Sequence, residues 1–260
     1  LREGLWEEYL DLSIDPSTYE DPQRFAEDYL VTEVLRKHPE IPIDVDRAKV
    51  ALASFMDSED CCRETRRRLR SSARDFQLPF QRNLFRILGS LTSSDLQYIV
   101  DNFRHGPGAS TGVRGVGSCP SFKYDKQIHT TSGLIPFYRS ILGELWWEHQ
   151  NKPAVVVDGN RFTTVPKTAK TDRGICIEPT LTMFVQLGIG ALLRKRLKRF
   201  GIDLNYQQAV NSDLARRAWS EDLATIDLSA ASDSVSSELI LQHFPERWVH
   251  LLELCRSPFC

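Results

Sequence analysis

Long apolar runs are missing from this sequence. No stretch of its 260 residues approaches the ~18 consecutive apolar positions that cross a bilayer, so no membrane partner is expected. The opening, Leu1-Arg2-Glu3-Gly4-Leu5-Trp6, has neither an initiator Met nor a basic segment ahead of an apolar one. A signal peptide is therefore not expected, and a fragment or a processed chain is. Paired cysteines are missing too. Cys61, Cys62, Cys119, Cys176, Cys255 and Cys260 form no C-x-x-C pair and no Cys/His cluster at zinc spacing, which leaves reduced core or surface thiols of a cytoplasmic protein. A glycine-rich stretch, His105 to Gly117, lacks the Gly-Lys-Ser/Thr that would make it a nucleotide P-loop.

Net charge is also small, at −2, yet it hides strong polarity. Residues 1–50 carry 13 acidic and 6 basic side chains, a net of −7, whereas residues 151–200 carry 10 basic and 3 acidic, a net of +7. The local field therefore says more about partners than the whole-chain charge does. A basic block near a carboxylate site suits an anionic ligand handled together with a metal.

That carboxylate site is Thr225-Ile226-Asp227-Leu228-Ser229-Ala230-Ala231-Ser232-Asp233. Leu223 to Leu228 reads as a strand, with Ala224, Ile226 and Leu228 on one face and Thr225 and Asp227 on the other. Asp is depleted in strands, so Asp227 needs a reason. The small residues after it let a ligand approach the backbone and aim Asp227 and Asp233 into one space. Such oxygen ligands suit Mg²⁺. The alternative is local: Asp227 ends a strand and Asp233 caps a helix beginning near Ser234.

The remaining chain reads as α+β. Asp21-Pro22 is a helix N-cap with a first-turn proline, followed by an apolar stripe of Phe25, Tyr29, Leu30 and Val34 that Pro39 stops. A second helix carries Val50, Leu52 and Phe55. Arg66-Arg67-Arg68 is read as a solvated helix face, with phosphate contact as the lesser reading. Pro79 breaks the pattern, and Ser94-Asp95 opens another amphipathic helix. His105 is read as structural. A helix is expected from Pro136 to His149, where Trp146-Trp147 could stack on bases or fill a core. Val155-Val156-Val157 and Arg161 to Val165 read as a hairpin across Asp158-Gly159-Asn160. Next comes a basic arm, Val165-Pro166-Lys167-Thr168-Ala169-Lys170-Thr171-Asp172-Arg173-Gly174, in extended or turn conformation, able to follow successive phosphates. Asp172 could pair with Arg173. Gly174 to Ile177 is a short strand, and a long helix runs from about Leu181 to Phe200 and stops at Gly201. Cations in its last turns suit the helix dipole.

Several blocks, taken in order, resemble one family. They are Val165 to Arg173, Ile177-Glu178-Pro179, Met183 to Gly190, Gly201 to Asn205 and Asp227 to Ser234. His105 to Ala109 and Arg256-Ser257-Pro258 add to them. The series resembles the replicase catalytic (beta) subunit of leviviruses, the single-stranded RNA phages, which is an RNA-directed RNA polymerase. The resemblance implies a partial right-hand polymerase fold: fingers plus the start of the palm, with the rest of the palm and the thumb absent. Residues 1–90 would be a mainly helical region, 91–222 the fingers region with the nucleotide-channel arm, and 223–260 the start of the palm.

The resemblance also implies roles. Asp227 would be the first catalytic carboxylate and, with the Leu228 backbone carbonyl, a ligand of two Mg²⁺ ions, for which Mn²⁺ could substitute. Lys167, Lys170 and Arg173 would hold the incoming triphosphate, Asp233 would help sense its ribose, and Ser232 would also bind the nucleotide. Templated nucleotidyl transfer to an RNA 3′-hydroxyl would follow by a two-metal mechanism. Partners would be RNA template and product, nucleoside triphosphates, and host translation factors with a ribosomal protein, in the cytoplasm of the bacterial host. The family's Gly-Asp-Asp turn is absent, and no Asp-Asp pair occurs, so an amino-terminal piece, inactive alone, is expected.

Two other classes compete. A non-catalytic RNA-binding module would rest on the basic block and the Trp146-Trp147 pair. A phosphotransferase using Asp227 as nucleophile would want a second Asp two residues on, where Ser229 stands. On the polymerase reading the Asp227 strand leaves sticky edges. The isolated chain is predicted to dimerise or precipitate in sedimentation velocity, and a monodisperse monomer would count against its being a truncated piece.

Overall fold

A computed structural model describes residues 5–38, 40–71, 74–143 and 153–260, leaving out the side chains of 74–77. Trp146-Trp147, the end of the helix expected up to His149, and Pro39 lie outside the described residues. The described helices are α1 (Trp6–Asp11), α2 (Pro22–Lys37), α3 (Arg47–Ser71), α4 (Arg74–Leu88), α5 (Ser93–Asp101), α6 (Tyr138–Leu142), α7 (Thr180–Lys198), α8 (Gln207–Glu221), α9 (Ser237–His243) and α10 (Glu246–Leu254). The strands are β1 (His129–Thr130), β2 (Val155–Val156), β3 (Arg161–Pro166) and β4 (Asp172–Ile177), in two two-stranded sheets. This mix of helices and small sheets is α+β. None of the described helices is long and apolar enough to cross a membrane, and none of the six cysteines forms a disulfide.

The chain forms two compact units: Leu1–Asp60 with Phe162–Cys176, and Cys61–Arg161 with Ile177–Cys260. In the smaller unit Asp21 accepts from Gln23 N at 2.9 Å and Pro22 opens α2, as its sequence requires. Arg36 ties α2 to α1 through the carbonyls of Leu10 and Leu12. Its own carbonyl accepts from the buried Ala169 amide at 2.7 Å. The apolar stripe expected on α2 is not buried: Tyr29, Leu30 and Val34 are exposed. Few large apolar side chains in this unit are covered, and Phe55 stacks near Phe162 at 5.0 Å.

The larger unit has the extensive core. Leu181, Phe184, Val185, Ile189 and Leu192 of α7 are buried with Leu88, Leu91, Ile99, Ile128, Leu134, Leu142 and Trp248. α7 lies along α5, and Gly188 makes that possible. A Cβ there would sit 2.5 Å from the Ile99 carbonyl and 2.6 Å from the Phe103 ring. Thr92 and Asp95 form a capping box at the start of α5, and Arg196 of α7 donates to Asp95 at 2.7 Å. α7 ends close to its expected stop, with Gly201 at φ 82°.

Three local expectations are corrected. Pro79 lies inside α4 rather than breaking it. Across Asp158-Gly159-Asn160 there is no hairpin. β2 instead pairs in parallel with β1, His129 opposite Val155, and β3 pairs with β4. The cause is Gly159, which packs on the backbone of Phe259, where any Cβ would collide, while Asn160 N donates to the Phe259 carbonyl at 3.0 Å. Leu223 to Leu228 belongs to no strand. Its alternation is that of a strand, but its one backbone bond, Leu223 N to the Ala218 carbonyl at 2.9 Å, only closes the end of α8, and among the described residues no second strand runs beside it to form a ladder.

His105 is structural, as read. It is buried, with its ring 4.7 Å from Tyr124 and 4.8 Å from Phe184. Burial, helped by the Lys123 charge, lowers its pKa to about 4. A depressed pKa means that the unfolded chain takes up the proton first, so stability is whole above pH ~6.5 and drains away as pH falls towards 4. The loss is on the order of 3 kcal/mol. Denaturant titrations at pH 7 and pH 4 should show a smaller acid loss for His105→Gln than for the parent. An equal loss in both would contradict this burial.

Candidate active site

α8 ends at Asp222, whose left-handed backbone (φ 53°) turns the chain out of the helix. Residues 223–228 then run without helix or strand, and the whole stretch 221–230 is exposed. Leu223, Ala224, Thr225 and Ile226 line one wall of an open cavity of about 540 Å³ whose other wall is α8, including Leu214 and Ala218. The chain reverses at Ala230, again left-handed at φ 50°. For alanine that conformation costs roughly 1–2 kcal/mol, and such strain gathers at functional sites. Ser234 N closes the turn on the Ala230 carbonyl at 2.9 Å.

Asp227 stands just before this reversal. None of the described residues makes a hydrogen bond or ion pair to its carboxylate, or donates to the Leu228 carbonyl. Ser232 Oγ donates to Asp233 Oδ1 at 3.1 Å, fixing that carboxylate on the same turn. Asp233 does not cap a helix. The next helix, α9, begins three residues later than the alternative reading has it and is capped by Ser236, whose side chain accepts from Leu239 N at 3.3 Å. No group of three or more metal-binding side chains is gathered among the described residues. What is present is one free carboxylate, a second carboxylate six residues on and a free carbonyl. That hard-oxygen set fits Mg²⁺, which takes one or two carboxylates and fills its shell with water and phosphate. It does not fit an ion that needs an all-protein cage.

Lys167, Lys170 and Arg173 are brought together at one end of the β3–β4 pair. The link between these strands, residues 167–171, is too short for anything but an antiparallel hairpin. Its tip is closed by Thr168 N to the Thr171 carbonyl at 2.9 Å and by Thr171 N to Thr168 Oγ1 at 3.1 Å. Lys167 and Arg173 are exposed. Lys170 donates to Asp11 at 2.5 Å. Asp172 pairs loosely with Arg47, at 3.8 Å, and not with Arg173. Phe162 fills the space over Gly174, where a Cβ would meet its ring at 2.7 Å. These three cations belong to the smaller unit, and Asp227 to the larger.

Several cations of the other basic clusters pair with groups of the protein itself. Arg67 and Arg68 both reach Glu64, at 2.9 and 3.0 Å, and Arg66 reaches Glu238 at 3.3 Å. In α7, Lys195 lies over the Tyr98 ring and Lys198 pairs with Asp203 at 2.7 Å. Sequence reasoning missed Glu178. Its carboxylate accepts from Asn160 Nδ2 at 2.9 Å and from Ser257 Oγ at 2.7 Å, joining the Ile177-Glu178-Pro179 and Arg256-Ser257-Pro258 blocks. The only hint in the sequence was that both belong to the ordered series.

The glycine-rich loop is no phosphate cradle. Lys123 is fully buried, and its ammonium donates to the carbonyls of Gly106 and Gly108 at 2.6 Å each. The loop thus presents acceptors to an internal cation, whereas phosphate needs donors. Burial lowers the pKa of Lys123. Lys123→Met should fill the space but orphan both carbonyls, costing about 2–4 kcal/mol in chemical denaturation. A change below about 0.5 kcal/mol would contradict the bonding described.

The RNA replicase, beta-chain family profile matches residues 7–260. The chain is 34% identical over 256 residues to the RNA-directed RNA polymerase subunit beta of Enterobacteria phage SP, an alignment covering 93% of this chain and 43% of the relative. It is 32% identical over 258 residues to the subunit of the same name from Escherichia virus Qbeta, with coverage of 95% and 43%. It is also 32% identical over 248 residues to the RNA-directed RNA polymerase beta chain of Enterobacteria phage fr, with coverage of 89% and 45%. It therefore spans less than half the length of these relatives, while almost all of its own length is matched. Asp227, Asp233 and the hairpin cations all fall inside the matched region, and the chain belongs to the RNA replicase beta-chain family.

Proposed function

We propose that these 260 residues carry the nucleotide-holding arm and the first catalytic carboxylate of an RNA-directed RNA polymerase that copies viral RNA. One observation carries the reading: in a chain matched to the replicase family over nearly its whole length, the Asp227 carboxylate is exposed and unengaged beside a strained turn. A buried or paired Asp would suit the merely structural alternative. On this reading residues 91–222 contribute to the fingers and 223–260 open the palm.

Asp227 and the Leu228 carbonyl would hold Mg²⁺, which when bound neutralises triphosphate charge and lowers the pKa of the attacking hydroxyl. Lys167, Lys170 and Arg173 offset the remaining charge and orient the phosphates, as phosphoryl transfer demands. Lys170 exchanges Asp11 for a phosphate oxygen as the nucleotide binds. Ser232 holds Asp233 ready for a ribose hydroxyl. RNA template and product, nucleoside triphosphates and host translation factors are the proposed partners. The donor set assembled here is too small to clamp two metal ions, so the 260 residues alone do not polymerise. The alternative, a non-catalytic RNA-binding module, would have to do without Arg196, which is 13% exposed and paired with Asp95 at 2.7 Å.

The test is Asp227→Asn in a polymerase of full family length carrying these residues. Templated nucleotide incorporation should fall by about a thousand-fold, the equivalent of several kcal/mol of lost charge stabilisation. RNA affinity in a filter-binding assay should hold within about two-fold, since phosphate contacts made elsewhere set it. Retained synthesis would contradict the assignment, as would incorporation by the 260-residue chain alone.

A further inference from the structure

Among the described residues no strand lies beside the segment that bears Asp227, so something else must fix its position. On its far side the fixing is done by α3. Cys62, Arg66 and Arg70 recur every four residues and so share one face of that helix. All three reach the chain just after Asp227. Cys62 Sγ donates to the Asp233 carbonyl at 3.3 Å. Arg70 meets Glu238 as a fork, Nε to Oε1 at 3.1 Å and Nη2 to Oε2 at 3.2 Å. Arg66 adds a contact to Oε2 at 3.3 Å. Gln242 Nε2 donates to Oε1 at 2.7 Å.

The burial is lopsided. The Glu238 side chain is 9% exposed, while those of Arg66 and Arg70 are 57% and 58% exposed. A carboxylate withdrawn from water in this way needs its full set of donors, and most of them come from α3. Glu238 sits in the first turn of α9, which has only seven residues. A helix so short does not hold itself together, so its position is set by its neighbours. α4 supplies a second support, with Phe80 edge-on to His243 at 5.4 Å and Gln81 reaching the Gln242 carbonyl at 3.5 Å.

We propose that Cys62, Arg66 and Arg70 with Glu238 form a latch that positions the Asp227–Asp233 turn. They are positioning residues: none reaches Asp227 itself, and they act by pinning the chain six to eleven residues beyond it. The positioning role rests on the reading of Asp227 as a metal-binding carboxylate. It assigns the arginines of α3 a task inside the protein, where the sequence pattern suggested a solvated face or a phosphate contact.

The experiment compares a polymerase of full family length carrying these residues with its variants Arg70→Glu, Glu238→Arg, the double exchange of both, the milder Glu238→Gln, and Asp227→Asn. Two readouts are taken: backbone amide exchange over residues 229–240, and Mn²⁺-induced broadening of the backbone resonances of residues 226–229. Each single charge reversal should speed exchange by roughly ten-fold or more and abolish the broadening, and the double exchange should restore both. Glu238→Gln should show the same effects in weaker form, which covers the case in which a reversal prevents folding. Unchanged exchange in the single variants, or no recovery in the double, overturns the latch. Broadening lost in Asp227→Asn but untouched in Arg70→Glu and Glu238→Arg overturns the positioning role while sparing the metal reading. Broadening that survives Asp227→Asn overturns the metal reading of Asp227 and the positioning role with it.

Discussion

The close approach of α7 to α5 is the constraint on which the larger unit depends. It needs a residue without a side chain at 188, because the Ile99 carbonyl and the Phe103 ring occupy the space a Cβ would take. Once the helices touch, Leu181, Phe184, Val185, Ile189 and Leu192 are removed from water together. Burial of that kind is worth ~1.5–3 kcal/mol for each large side chain. Arg196 and Asp95 then lock the far end, where the same carboxylate caps α5. The apolar layer so formed also receives α10 through Trp248, whose ring nitrogen donates to the Gly89 carbonyl at 3.0 Å.

Around this rigid layer the polar groups divide into two kinds. Some are consumed by the fold: Lys123 by two loop carbonyls, Glu178 by Asn160 and Ser257, Glu238 by the α3 arginines. Others stay open, notably Asp227, Lys167 and Arg173. The proposed function needs the second kind, because charge stabilisation works only where the groups are free to meet the ligand. Fixed geometry comes from the first kind. The Asp227 turn illustrates the division: its backbone is strained at Ala230 and tied down at Asp233 and Glu238, while the carboxylate itself is left unengaged.

Much of this was legible in the sequence, for identifiable reasons. The Asp21-Pro22 cap, the extent of α7 and its stop at Gly201 depend on chemistry within a few residues, and they were found. The basic arm was read as extended or turned, and it is a hairpin tip. The ordered blocks gave the family. What could not be read depends on distant partners. The turn signal at Asp158-Gly159-Asn160 failed because Gly159 serves a close approach to Phe259, a hundred residues on. Leu223 to Leu228 alternates like a strand, but alternation cannot supply a second strand. Asp233 looked like a cap, yet the true cap, Ser236, is an equally ordinary residue three positions later. The arginines of α3 looked like surface charge because Glu238 lies far along the chain.

On the proposed function, Asp227 and the cations Lys167, Lys170 and Arg173 serve one bound nucleotide. Fe²⁺-directed hydroxyl-radical cleavage in a polymerase of full family length tests this directly, with the iron taking the place of Mg²⁺ and a nucleoside triphosphate present. The account predicts backbone cuts at residues 226–229 and at 167–173, both lost in Asp227→Asn. Cuts confined to one of these stretches, or falling elsewhere in the chain, would contradict it.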